Sequence, residues 1–326
     1  MIKFVKLSLL LLLSLICFNV NSQQVIEAYR PLKTDSIRTG IGKQDFMPFI
    51  NSGYTLMLPE AESIKGVLIL LEDSQLDQKN RSAKQLYSLA NEQDLAVLSV
   101  STQTPLDFYF TEASQLEAHH LIEQAFNRHK LPNQNIFFLG ASLVGHRAMR
   151  YIKFVRERDL KFQPNIKGIV MCNFTLDFTR KWHQHQRDLR IKRIDLWEPT
   201  FINYMLETNL QGTPETNPEA YFDFSAYSYT DPTNRNIKFY TDLGIRAYIE
   251  PAIKYKLTKQ LRTLYENNAT DMVGFLAEQE LAGNTNTELI VLQPEDNPSS
   301  NRNTQSTWDA LDKKELMQWI TKNLDD

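Results

Sequence analysis

The sequence predicts an α/β fold, a doubly wound and mostly parallel sheet with a helical insertion. Three observations predict it. Short runs that are apolar throughout recur along the chain, each followed by a stretch with helical periodicity, which is the pattern of parallel strands buried on both faces and joined by helical crossovers. After Phe174 this rhythm stops for about sixty residues and resumes at Gly244. The chain has 326 residues with no internal repeat and no low-complexity linker, a size that one α/β domain with an insertion reaches.

Residues 1–22 read as an export signal: Lys3 and Lys6, then an apolar run from Leu7 to Phe18, then Val20-Asn-Ser22 at the cleavage-facing positions. A lipid anchor on Cys17 is disfavoured by the bulky Ile16 before it. No later stretch approaches the ~20 apolar residues of a membrane span, so the expected product is exported, periplasmic or extracellular. The domain then occupies 23–326. Gly53-Tyr-Thr-Leu-Met-Leu58, closed by Pro59, is an antiparallel opening strand. Strand 65–71 precedes a helix over 79–92, strand 95–100 precedes one over 111–129, and strand 136–139 precedes one over 143–158. A further strand covers 166–171. The insertion at about 175–236 mixes ten aromatics from Phe178 to Tyr229 with prolines and charges. Such rings could line an apolar pocket, but packing of a small helical cap accounts for them more simply. Strand 244–249, helical material through Gln279, strand 288–292, a polar loop 293–307 and a helix over 309–323 complete the chain.

Composition narrows the function. The formal charge is −3, and removing Lys3 and Lys6 with the signal makes it −5, a mild acidity that gives no reason to expect a nucleic-acid partner. One cysteine, Cys172, remains after the signal and lies in an apolar run, which predicts a buried structural thiol. His183-x-His185 on a helix points its rings to different faces, and Gly140-x-x-x-x-Gly145 lacks the Lys-Ser/Thr of a phosphate loop. Neither a metal nor a cofactor is expected.

The informative segment is Phe138-Leu-Gly-Ala-Ser-Leu-Val-Gly145. A serine at the carboxyl end of a strand, flanked by small residues and followed by a helix, is what a nucleophile elbow demands, because only a tight turn lifts the hydroxyl clear of the sheet. Here the chain resembles the α/β-hydrolase superfamily, in particular secreted esterase-like members with a cap. The resemblance extends over nearly the whole mature chain in strand order and is specific only around Ser142. It implies Ser142 as nucleophile and an acid at a later strand end, with Glu250 the leading choice and Asp177 or Asp242 the others. It also implies an oxyanion hole from the Leu143 amide and the loop Glu72-Asp-Ser-Gln75, represented by Ser74.

Three departures accompany it. Val144 stands where the superfamily places glycine, and its β-branch is expected to crowd the turn. The oxyanion loop carries Glu72 and Asp73 and no glycine, which opposes stabilisation of an anion. No histidine follows His185, so the loop after the last strand offers only Gln305 or Ser306 where the resemblance places the imidazole. Of the other histidines, His146 is expected to pack on the helix after the elbow, and Arg180–Arg187, with His183 and His185, to form an exposed helical face. His119 and His120 share a helix, and His129 ends it, where the dipole favours it. Without a base the serine hydroxyl is a weak nucleophile. The expectation is therefore an impaired hydrolase-type protein that binds a small ester, peptide or glycan. The alternative is an active ester or peptide hydrolase with an unconventional base.

Overall fold

The computed structural model describes residues 24–33, 49–72, 81–103, 107–292 and 307–324. The signal-like segment, Ser74, Gln305 and Ser306 lie outside the described residues.

Eight strands form one sheet: β1 (Gln24–Lys33), β2 (Phe49–Leu58), β3 (Gly66–Glu72), β4 (Leu95–Ser101), β5 (Ile136–Ala141), β6 (Ile166–Cys172), β7 (Gly244–Ile249) and β8 (Thr287–Val291). Their order is β1-β2-β4-β3-β5-β6-β7-β8. The β1/β2 and β2/β4 pairs are antiparallel and the remaining five pairs are parallel. The expected α/β class with a mostly parallel sheet is what forms. Val, Leu and Ile fill β3 and β4, and every residue of β4 is buried, as sheets covered on both faces require. Strand β1 is an addition to the sequence reading. It is an edge strand in which Ile26 and Ala28 pack on the core while Val25 is exposed, so it shows no continuous apolar run.

Helices α1 (Arg81–Asn91), α2 (Glu112–His129) and α3 (Leu143–Glu157) follow β3, β4 and β5. Then come α4 (Phe178–Ile191), α5 (Trp197–Asn209) and α6 (Pro218–Phe224) with no strand among them, α7 (Asn268–Leu281) before β8, and α8 (Lys313–Lys322). Buried side chains of α2, α3 and α7 form one core with the sheet. Those of α1 and α8 form a second on the opposite face. A third, smaller core joins α4, α5 and α6 through Phe178, Trp182, Leu206 and Phe224, so most of these aromatics pack as expected. The helix expected over 309–323 is divided in two, because the Asp312 carboxylate accepts from the Lys314 and Glu315 amides and starts α8 afresh. After Pro251 the helical material is a turn at Ile253–Tyr255 and a π-helical turn at Lys256–Gln260, then α7.

The exposed face expected at Arg180–Arg187 is overturned. Arg180, Lys181, Gln184 and His185 are buried. The Arg180 guanidinium forms a buried pair with Asp271 of α7 and also reaches Asn268. Lys181 pairs with Glu198, and His185 Nδ1 donates to Asn203 Oδ1 at 2.9 Å. Charged residues of α4 are buried because their partners come from α5 and α7, up to 91 positions away.

Candidate active site

The chain winds from β3 to β4 toward one sheet edge, then crosses to β5 and continues toward the other. The winding therefore reverses between β3 and β5, and the carboxyl ends of these two strands border the crevice where α/β sheets place their functional groups. Ser142 follows β5 at that point. Glu72 ends β3 beside it.

Ser142 is exposed and adopts φ 51°, ψ −131°, a conformation that costs a non-glycine residue of order 1–3 kcal/mol. Directly after it, α3 begins, and the Gly145 and His146 amides both bond the Ser142 carbonyl, at 3.2 and 3.4 Å. The Leu143 amide, in the first turn, has no acceptor within the helix and lies at the positive end of the dipole, which suits it to an anion. The elbow closes because two backbones touch. A Cβ on Gly140 would lie 2.2 Å from Gly145 Cα, and one on Gly145 would lie 2.2 Å from the Phe174 ring. Position 145, and not 144, must therefore be glycine. Val144 turns toward the opposite face and packs with the core of α1 and α8, which corrects the expectation that its β-branch crowds the turn.

The hydroxyl of Ser142 makes no capping hydrogen bond, and among the described residues no histidine hydrogen-bonds to it. His146 is buried among Phe178, Phe224 and Phe108, with ring centroids at 4.4, 4.9 and 5.8 Å. Its Nε2 donates to the Phe108 carbonyl at 3.2 Å. Burial, then the neighbouring Arg150, hold its pKa well below the ordinary value, so it packs, as expected, and is a weak base. His119 Nδ1 meets the Tyr151 hydroxyl at 3.1 Å and His129 Nε2 the Tyr54 hydroxyl at 3.0 Å. His120 is exposed on α2, and His183 faces Glu215 at 3.6 Å. Burial pushes His185 down to about 2.

Glu250 follows β7 on the same end of the sheet, two strands from β5, since Ala141 pairs with Cys172 and Cys172 with Tyr248. Two strand spacings separate the backbones by about 10 Å, a gap that an imidazole bridges in a triad. Glu250 is 7% exposed. Burial raises its pKa, and the Lys256 ammonium opposes that rise. Lys256 is itself lowered to about 8, by burial first and the charge of Arg262 second, and its Nζ donates to Asn267 Oδ1 at 2.6 Å.

The other acids serve elsewhere. Asp177 caps α4, accepting from the Arg180 and Tyr229 amides and the Ser228 hydroxyl. Burial, followed by the charge of Asp271, pushes its pKa up to about 6. Asp242 precedes β7, at the end of the sheet away from Ser142, and pairs with Arg156. Cys172 is buried with its thiol pKa raised by burial, the inert structural role expected.

Arg147 and Lys256 escaped the sequence reading. Arg147 is fully buried under the elbow, where its Nε donates to the Asp107 carbonyl at 2.6 Å and its Nη1 to the Leu71 carbonyl at 3.3 Å. It ties the end of β3 and the loop after β4 to α3. No local pattern marks it, because its acceptors are backbone atoms 40 and 76 positions away.

No family model and no curated protein sequence matches the chain. Among solved structures it is similar to carboxyl esterase 2 of the fungus Tuber melanosporum, with TM-score 0.54, 12% identity and coverage of 95% of this chain and 89% of that one. A Pyrococcus furiosus esterase aligns with TM-score 0.51 and 9% identity over 93% of this chain and 91% of that one. An acylaminoacyl peptidase of Pyrococcus horikoshii aligns with TM-score 0.50 and 10% identity over 95% of this chain and 42% of that one. With the strand order and the serine elbow already in place, these similarities show that the chain has the α/β-hydrolase fold.

Proposed function

We propose that the protein is an exported α/β-hydrolase-fold protein whose Ser142 site binds a small carboxylic ester, peptide or glycan and whose catalysis is impaired for want of a base. The observation that carries this reading is the engagement of the histidines: His119, His129, His146, His183 and His185 each face a partner other than Ser142. Glu250, the acid in this reading, has a lysine as its neighbouring charge and no imidazole. The similarity to esterases of Tuber melanosporum and Pyrococcus furiosus makes an ester the first ligand class to test, and α4 to α6 act as the cap. Export rests on the signal-like segment 1–22.

A second reading, an active serine hydrolase, is favoured by one observation. Ser142 keeps the strained backbone and the Leu143 amide that a nucleophile uses. A fluorophosphonate probe and short-chain nitrophenyl esters separate the two. Impaired catalysis predicts neither labelling nor turnover above a Ser142→Ala control, while ester ligands still raise the melting temperature. Labelling and turnover that both vanish in Ser142→Ala would establish the second reading and remove the first.

A further inference from the structure

Of the large apolar side chains exposed among the described residues, five fall within the thirteen residues that follow Glu250-Pro-Ala252: Ile253, Leu257, Leu261, Leu264 and Tyr265, exposed by 39–56%. Ile253 and Leu257 are four apart across two consecutive helical turns, which places them on one face, and Leu261 ends the second turn in a left-handed conformation. The same stretch, 251–265, contains Lys254, Lys256, Lys259 and Arg262 and no acid. Lys254 and Lys259 are exposed beside the apolar stripe.

The basic surface continues onto the end of α4. Arg187 Nη1 donates to the Leu261 carbonyl at 2.6 Å, and Arg262 pairs with Asp188, so the last turn of α4 lies against this stretch. That turn and the residues just after it add exposed Arg190, Lys192 and Arg193. Among the described residues none of these three, nor Lys254 or Lys259, pairs with a carboxylate. Of the acids interleaved here, Asp188 and Glu266 are buried and already paired with Arg262 and Arg187, and Asp195 is exposed and accepts from the Trp197 amide.

We propose that the Ile253–Tyr265 segment and the end of α4 form a docking surface for an anionic phospholipid membrane. An apolar stripe flanked by unpaired cations fits the boundary between acyl chains and acidic headgroups. Charge complementarity decides against a second copy, because a two-fold contact would set one basic face against another. Since the segment follows β7, docking turns the Ser142 and Glu250 end of the sheet toward the lipid. The proposal is independent of whether Ser142 turns over a substrate.

The test is co-sedimentation of the full chain with phosphatidylcholine vesicles, with and without phosphatidylglycerol. Two variants share its N-terminal segment, Leu257→Ser/Leu264→Ser and Lys254→Glu/Lys259→Glu, and both change exposed side chains only. The expected result is salt-sensitive binding to the anionic vesicles, weakened at least about tenfold in each variant. Equal binding to both vesicle types, no binding to either, or binding that neither variant weakens would overturn the proposal. So would a dimer, seen by sedimentation without lipid, that Leu257→Ser/Leu264→Ser dissolves, since it would assign this face to a second copy.

Discussion

Ser142 is held at φ 51° and ψ −131° by contacts that involve none of its own side-chain atoms. The Gly140 and Gly145 backbones meet, and the Phe174 ring fills the space beyond. An added methyl at Gly145 therefore enters an occupied space, whereas Val144 borders a core that can relax around a smaller side chain. Gly145→Ala is expected to lower unfolding free energy by about 1–3 kcal/mol, and Val144→Ala by less than about 1.5 kcal/mol. Urea titration measures both, and the reverse ordering would show that position 144 carries the close approach after all. The sequence marked the serine and its strand end correctly. It misjudged Val144 because spacing from the serine does not say which face of α3 meets the sheet.

Helix α4 shows the same limit for a whole element. Its Arg, Lys, Gln and His residues have the composition of a solvated face, yet Arg180 and Asp271 are 3% and 2% exposed. Asp271 also accepts from the Leu176 and Asp177 amides, so it joins the loop after β6 and the start of α4 to α7. Asp271→Ala should cost about 3–5 kcal/mol, since it leaves a buried guanidinium without its counter-charge. Adding Arg180→Met should recover part of that loss. If it recovers none, the cost lies in the orphaned amides and not in the charge. Nothing within α4 itself announces this pairing, because the partner sits more than ninety positions away. Strands β3 to β7 were legible for the opposite reason, since burial on both faces writes itself locally as continuous apolar runs.

For the molecule as a whole, buried histidines and the buried Asp177 contribute to the response to acid. His146 and His185 have folded pKa values below their unfolded value of 6.5. Each contributes stability that is present above pH 6.5 and lost as pH falls toward its folded value, for His185 at about 1.4 kcal/mol per pH unit. Asp177 acts in the other direction. Its folded value of about 6 lies above the unfolded 3.8, so between those values the folded state holds the extra proton and one histidine's slope is offset. From these three groups the net effect is a loss of stability as pH falls from 6 toward 4, because two histidines oppose one carboxylate. Urea unfolding at a series of pH values should show it, and His185→Gln should flatten the curve by one histidine's slope. An unchanged slope in that variant would mean that His185 is not held neutral.

The sequence by itself determined the α/β class, the parallel core strands, the serine at the end of β5 and the lack of a histidine beyond β8. Each of these is written in local periodicity or in residue identity. Only the tertiary structure decided where the six histidines go, which face Val144 takes, how the charges of α4 are neutralised and that Glu250 has Lys256 for its neighbour. Those outcomes depend on groups brought together from distant positions, and the free energy of a buried charge or ring nitrogen is set by the partner it meets and not by its neighbours in the chain.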